Sequence, residues 1–302
     1  MDASFHEYLR VRRAEVDAAL TAALPHVPDC PAVVADAMRY SVTAGGKRLR
    51  PILCLAAAEA VGGERTMAMP AACALELIHT YSLIHDDLPA MDNDAMRRGQ
   101  PTLHVVAGEG MAILAGDGLL TEAFVLLTGA PETSDPAIAA RKLRVAGVIA
   151  IAAGATGMVG GQAIDLASSV PGAGLLDADA LRVMHSKKTG ALIRAAAVAG
   201  AVMGGAADAT IEGVEAAAAE FGLAFQIVDD ILDVEGHSTQ LGKTAGKDAA
   251  AGKPTYPAFY GLDAARSMAA DCLGRAHDAL AGVDLADSRL MDIGRWIVNR
   301  SH

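Results

Sequence analysis

Apolar and polar positions along the chain recur with the spacing of helices, and the strict alternation of a half-buried strand is scarce. Helix punctuation marks the ends. Pro31 opens an expected helix that stops at Gly45–Gly46, Pro51 opens the next, which stops at Gly62–Gly63, and Pro70 opens a third. Further apolar stretches run over residues 108–128, 137–152, 179–203, 210–234, 264–281 and 288–298. The segments 129–135, 168–177 and 236–254 are rich in Gly, Pro, Ser or Asp and read as loops. No low-complexity linker or fixed-period repeat interrupts this pattern. The expectation is an all-α bundle forming a single domain over residues 1–302.

Composition narrows this. Hydrophobic residues make up 52% of the 302 residues and charged ones 20%, enough apolar material for a sizeable core. Aromatics are only 4%, so the core must be built from Ala, Leu, Ile, Val and Met, of which Ala and Leu favour helix. The cysteines Cys30, Cys54, Cys73 and Cys272 form no CxxC pair, which disfavours a zinc site or a disulfide framework and fits a reducing, cytoplasmic setting. The first residues are charged and carry no signal-peptide core. Residues 145–164 lack any charge and are long enough to cross a bilayer. Five glycines and few large apolar groups make a buried helix or helix pair the expectation, with no stable membrane insertion.

Charge changes the picture once more. A net charge of −11 argues against a nucleic-acid partner. Yet cations concentrate at Lys47–Arg48–Arg50, Arg97–Arg98, Lys187–Lys188 and Lys243–Lys247–Lys253, which suits small anionic ligands. Two acidic motifs accompany them. Asp229 and Asp233 are four apart and share one helix face, so both can approach one cation; taken alone, a solvated acidic face is the better account of them. Asp86 and Asp92 are six apart, poor spacing for a straight helix. Pro89 between them removes an N–H and bends the backbone, a bend that brings Asp92 back beside Asp86. Magnesium prefers oxygen ligands, keeps several waters and commonly uses one or two carboxylates with substrate phosphates. Two acidic motifs plus basic clusters therefore point to a magnesium–diphosphate site.

The run from Leu77 to Asp92, containing His85-Asp86-Asp87-Leu88-Pro89-Ala90-Met91-Asp92, closely resembles the first aspartate-rich motif of bacterial trans-prenyl diphosphate synthases. The resemblance extends to Gly45-Gly46-Lys47-Arg48-Leu49-Arg50-Pro51, Arg97-Arg98-Gly99-Gln100-Pro101-Thr102, Gly160-Gly161-Gln162, Lys187-Lys188-Thr189-Gly190, Phe225-Gln226 through Asp233, and Leu241-Gly242-Lys243 through Pro257, in the family's order. It implies a helical bundle around a deep central cavity and a homodimer. It also implies condensation of isopentenyl diphosphate with dimethylallyl or geranyl diphosphate, giving mainly farnesyl diphosphate.

Residue by residue, the resemblance implies that Asp86, Asp92, Asp229 and Asp233 hold three magnesium ions. Arg97, Lys188, Lys243 and Lys253 would contact the allylic diphosphate, and Lys47, Arg50, His79 and Arg98 would clamp isopentenyl diphosphate. Thr189, Gln226 and the Lys188 carbonyl would face the allylic cation. Arg48, Lys187 and Lys247 read as solvated, and His85, Asp117 and Asp165 receive no role. The C-terminal Asn299-Arg300-Ser301-His302 departs from the strongly basic tails of the family. Tyr81 and Ser82 lie about 7.5 Å and 6 Å behind Asp86 along a helix, where a growing tail would meet them, Tyr81 as a floor; ordinary core packing is the alternative. The glycine- and lysine-rich segment 236–254 suits a flap closing over diphosphate. The rivals are a geranylgeranyl or longer-chain synthase, a class I terpene cyclase, and a non-catalytic regulatory subunit of a heteromeric synthase.

Overall fold

Helix signals dominate the sequence, and helices dominate the chain. A computed structural model describes residues 3–170, 175–235 and 254–300. In order these form α1 (Ala3–Ala23), α2 (Ala32–Thr43), α3 (Leu49–Ala60), α4 (Arg65–Asp86), the two-residue strands β1 (Met96–Arg97) and β2 (Gln100–Pro101), α5 (Leu103–Ala107), α6 (Glu109–Gly129), α7 (Pro136–Ala153) and α8 (Met158–Ser168). Then come α9 (Ala178–His185), a π-helical turn (Ser186–Gly190), α10 (Ala191–Gly204), α11 (Asp208–Glu235), α12 (Tyr256–Tyr260), α13 (Leu262–Ala281) and α14 (Arg289–Asn299). The all-α expectation holds, with one exception in miniature. β1 and β2 pair antiparallel about Arg98 and Gly99, both at positive φ, the geometry of a tight hairpin turn.

Two expected boundaries differ. Pro70 does not open a helix; it lies inside α4, which starts at Arg65. So near the N-terminus the proline removes a single helical hydrogen bond, that to the Thr66 carbonyl, and burial of Ala71 to Ile78 outweighs the loss. The stretch 179–203 is not one helix either. Its α-helical register is interrupted by the π turn, which carries Lys187, Lys188 and Thr189.

Small side chains set the packing at the centre. Cys54, Leu55, Ala56, Ala57 and Ala58 of α3 are fully buried, as are Ala196, Ala197 and Ala199 of α10. These two helices approach so closely that a Cβ on Gly200 would lie 1.9 Å from the Cys54 carbonyl oxygen. Only glycine fits this crossing.

The uncharged run 145–164 is a helix pair, as expected, broken between α7 and α8. It is only partly buried, however. Among the described residues, α4, α6 and the α7–α8 run are long and apolar enough to cross a membrane, but 67% of the α4 span is buried inside the protein against 33% of each of the others. Leu143 and Ile151 of α7 are 76% and 68% exposed. Uncharged composition reports apolarity, not what covers it.

Arg48 also departs from expectation. It is not solvated; its side chain is 2% exposed. From a left-handed backbone (φ 51) just before α3, its guanidinium donates to the Asp17 carboxylate of α1 (2.8 Å), the Val42 carbonyl of α2 (2.6 Å) and the Glu76 carboxylate of α4 (2.8 Å). Glu76 is equally buried, at 2%. Arg48→Met leaves that carboxylate without its cation, and the expected loss is about 3–5 kcal/mol of stability. Urea denaturation checks it: the double variant Arg48→Met/Glu76→Met regains most of the loss, whereas equal instability of both would show that the pair itself is not the cause.

Candidate active site

The first acidic motif sits where α4 ends. Asp86 is its last residue and Asp87 its C-cap. Beyond it the chain curls back tightly: the Met91 and Asn93 amides donate to the Leu88 carbonyl, and the Asp92 amide donates to the Asp86 carbonyl at 2.8 Å. The expected bend is therefore present, and Asp92 lies beside Asp86. It is made by helix termination and a hydrogen-bonded turn, with Pro89 inside the turn. Burial pushes the Asp86 carboxyl up to about 6, with Asp92 and Asp87 adding to the rise and Lys188 and Arg97 opposing it. Four predicted groups, Asp86, Asp92, Lys188 and Arg97, thus act on one another.

Arg97 is committed here to Asp87. Its Nε lies 2.9 Å from both carboxylate oxygens, and a second nitrogen donates at 2.6 Å. Lys188 is held similarly. Its Nζ lies 2.5 Å from Oδ2 of Asp165, a residue of α8 that is only 6% exposed. The π turn that carries Lys188 and Thr189 presses on α8 so closely that a Cβ on Gly161 would lie 2.1 Å from the Lys188 nitrogen. On its other side the turn meets α11, where Gln226 is buried. Hence the turn stands between the two acidic motifs.

The expected clamp is only partly assembled. His79 and Arg98 act on each other and on Arg50: the His79 imidazole is held well below the usual histidine range, by burial first and then by Arg50 and Arg98. Burial brings Arg50 down to about 10, and its buried Nε has no hydrogen-bond partner among the described residues. Arg98, presented by the hairpin turn, donates to the Gly45 carbonyl. Lys47 follows Gly46, whose backbone packs on the Arg98 guanidinium, and its ammonium lies 6.0 Å from the centre of the Trp296 ring with Arg300 and Asp229 as charged neighbours.

At the second motif, Asp229 is 61% exposed and meets Arg300 at 3.2 Å. The Arg300 guanidinium also donates to the Phe225 carbonyl and stacks 3.9 Å above that ring. Asp233, one turn on, is partly buried, and Asp230 accepts from the Tyr256 amide at 2.9 Å. Tyr81 is 7% exposed and makes an edge-to-face contact with His85, centroids 5.7 Å apart; the Ser82 hydroxyl donates to the His79 carbonyl. Lys243, Lys253 and nearly all of the segment 236–254 lie outside the described residues.

Among the described residues no three His, Cys, Asp or Glu side chains converge tightly enough to hold a metal by themselves. The donors at the bend are all carboxylate oxygens, which fits a hard cation that takes most of its ligands from phosphate and water. Sequence reading missed four participants: Asp87, Asp165, Trp296 and Arg300. Asp165 had a signal, three residues after Gly161-Gln162 on the same helix turn; a single Arg near the C-terminus had none.

A family model described as polyprenyl synthetase matches residues 31–284. The chain is 49% identical over 280 residues to the heterodimeric geranylgeranyl pyrophosphate synthase large subunit 1, chloroplastic, of Arabidopsis thaliana, covering 93% of this chain and 75% of that protein. It is 46% identical over 300 residues to a dimethylallyltranstransferase of Fischerella ambigua, covering 98% and 84%. Among solved structures, an FPP/GFPP synthase from Zymomonas mobilis superposes with a TM-score of 0.86 at 36% identity, covering 99% and 100% of the two chains.

The depressed His79 gives a pH test. Below its ordinary value of 6.5 the unfolded chain binds a proton that the folded chain refuses, so folding is penalised as pH falls. Thermal melts between about pH 7.5 and pH 5 are expected to show a shallower decline for His79→Gln than for the unaltered protein; parallel declines would mean His79 is not buried neutral.

Proposed function

The chain belongs to the polyprenyl synthetase family and is a trans-prenyl diphosphate synthase; from that premise we propose that it joins isopentenyl diphosphate to dimethylallyl and then geranyl diphosphate and releases farnesyl diphosphate. The observation that carries the product length is Tyr81. A bulky, nearly buried ring stands about 7.5 Å behind Asp86 on the same helix, braced by His85. A tail growing away from the diphosphate along α4 meets that ring. Several relatives carry geranylgeranyl or geranylfarnesyl in their names, and a longer product is the second reading. Product length is set by a few side chains along the tail's path, and overall identity does not decide it.

Asp86, Asp92, Asp229 and Asp233 are the residues that would hold magnesium, which supplies charge stabilisation for a departing diphosphate. Lys188, fixed by Asp165, and Arg97, fixed by Asp87, add positive charge where the leaving group's charge develops. Thr189, the Lys188 carbonyl and the buried Gln226 offer dipoles to the allylic cation. Arg50, Arg98 and the neutral His79 form a cationic hollow for the second diphosphate, suited to Arg because its planar fork holds phosphate at two points. Exclusion of water keeps the cation from hydrolysing.

Self-association is part of this proposal. Leu114 and Val125 of α6 are spaced by eleven residues and Leu143 and Ile151 of α7 by eight, so each pair lines one helix face. All four are more than half exposed. Such apolar faces on adjacent helices suit a symmetric interface between two copies; a heteromeric partner on the same face is the alternative.

Product analysis with magnesium, isopentenyl diphosphate and dimethylallyl diphosphate is expected to give farnesyl diphosphate, a longer product from Tyr81→Ala, and none from Asp86→Asn. An unchanged product from Tyr81→Ala would remove the floor and favour the longer-chain reading. In light scattering the protein is expected to run as a dimer and Leu143→Glu to shift it toward monomer; a monomeric parent protein would send the α6–α7 face to another partner.

A further inference from the structure

A cavity of about 850 Å³ opens on the flank of the bundle, bounded by α7, α9, the π turn, α10 and the start of α11. Its floor is aliphatic: Val148, Ile151 and Ala152 of α7, Ala195 and Val198 of α10, and Ile211 of α11; Ile151 is shared with the α6–α7 face proposed above for self-association, so the cavity borders that face. Its rim is charged. Arg144, Arg182, Lys187 and Arg194 face two carboxylates, Asp179 and Glu215. With Asp208, which pairs with Arg144 at the outer edge, four cations meet three carboxylates, an excess of one positive charge in a chain whose net charge is −11.

Those cations are weakly engaged. Arg194 and Glu215 stand 3.6 Å apart with both side chains about half exposed, a pair that contributes little and exchanges readily. Among the described residues Lys187 donates only to the Thr156 carbonyl, a neutral acceptor. Arg182 makes no hydrogen bond or ion pair among the described residues and is exposed. Arg144 is tied to Asp208 at the outer edge. An anion of two or more charges therefore has three cations to recruit without breaking a buried interaction. The aliphatic floor beneath them suits a hydrocarbon tail.

We propose that this flank cavity is a second binding site for a prenyl diphosphate, separate from the catalytic site, with Arg182, Lys187 and Arg194 on the diphosphate and the α7–α10 floor under the isoprenoid tail. The proposal rests on the synthase reading only in naming the amphiphile that the protein itself would generate. The site shares its backbone with catalysis, because Lys187 faces the cavity while Lys188, next in the same π turn, pairs with Asp165. A long-tailed product held here would thus touch the element that positions the catalytic lysine.

Equilibrium dialysis of the full chain against labelled farnesyl diphosphate with magnesium, without isopentenyl diphosphate, tests this. The parent protein is expected to bind a second equivalent per chain. In Arg182→Glu/Arg194→Glu, which reverses two exposed charges, that equivalent weakens about tenfold or more, the scale of losing a charge-assisted contact; the first equivalent and the initial rate of condensation stay as they were. Val148→Trp, which fills the floor, has the same effect through the tail. Inorganic diphosphate, lacking a tail, is expected to bind only in the two diphosphate subsites of the catalytic site, so its binding is the same in the parent protein and in Arg182→Glu/Arg194→Glu. A second equivalent of farnesyl diphosphate that is missing from the parent protein or ignores both variants, or a loss of inorganic diphosphate binding in the double variant as large as that of farnesyl diphosphate, would overturn the proposal. Failure of the synthase reading would appear separately, as no condensation product when isopentenyl diphosphate is supplied to the same preparation.

Discussion

Much of the architecture turns on one buried guanidinium. Arg48 reaches Asp17 on α1, the Val42 carbonyl on α2 and Glu76 on α4, and it is itself the residue before α3. Four helices meet at a single side chain. Burying a cation is costly unless its hydrogen bonds are met and its charge is compensated, and this arrangement of the four elements meets those conditions. The site inherits the constraint. Arg50 stands two residues after Arg48, and His79 stands three residues after Glu76, so fixing the buried pair also fixes the hollow in which Arg50, His79 and Arg98 gather.

Around the acidic motifs the cations are paired before any ligand enters. Arg97 is held by Asp87, Lys188 by Asp165 and Asp229 by Arg300. Loading a diphosphate with a metal there is consequently an exchange of partners, whereas the hollow of Arg50, Arg98 and His79 holds a buried Arg50 Nε with no hydrogen-bond partner among the described residues. The pairs differ in how readily they give way. Asp87 and Asp165 are nearly buried and act as fixed braces, whereas Asp229 is largely exposed and can release Arg300 at small cost.

What the sequence disclosed follows from how local each signal is. The bend that sets Asp92 beside Asp86 was legible because Pro89 and a six-residue spacing exclude a straight helix. The gathering of Arg50, His79 and Arg98 was legible only through the family's motif order, since nothing local links residues 50, 79 and 98. Arg48 looked like one more surface cation in a basic run; its burial depends on Asp17 and Glu76, 31 and 28 residues away. Pro70 misled because a proline signals a missing donor and cannot say whether the surrounding burial outweighs it. The run 145–164 misled in the opposite direction: its lack of charge was plain, but its partner is not written in its own residues. Arg300 was invisible for the same reason, its significance arising from the Phe225 ring and Asp229 carboxylate that α11 presents to it.

The π turn places one residue more in that stretch than an α-helix of equal length would hold. Its effect is a matter of phase. Deleting any single residue there would let the helix from Ala178 to Gly204 run uninterrupted, with the helices on either side in about the same phase and the residues of the turn itself moved to new positions on its surface. The Ala-lined seam against α3 could then be kept, but Lys188 would lose its place against Asp165. Point substitutions leave the widened turn intact; a one-residue loss does not. In descendants of this chain, the length of the segment 186–190 should be held as strictly as the identities of Lys188 and Thr189.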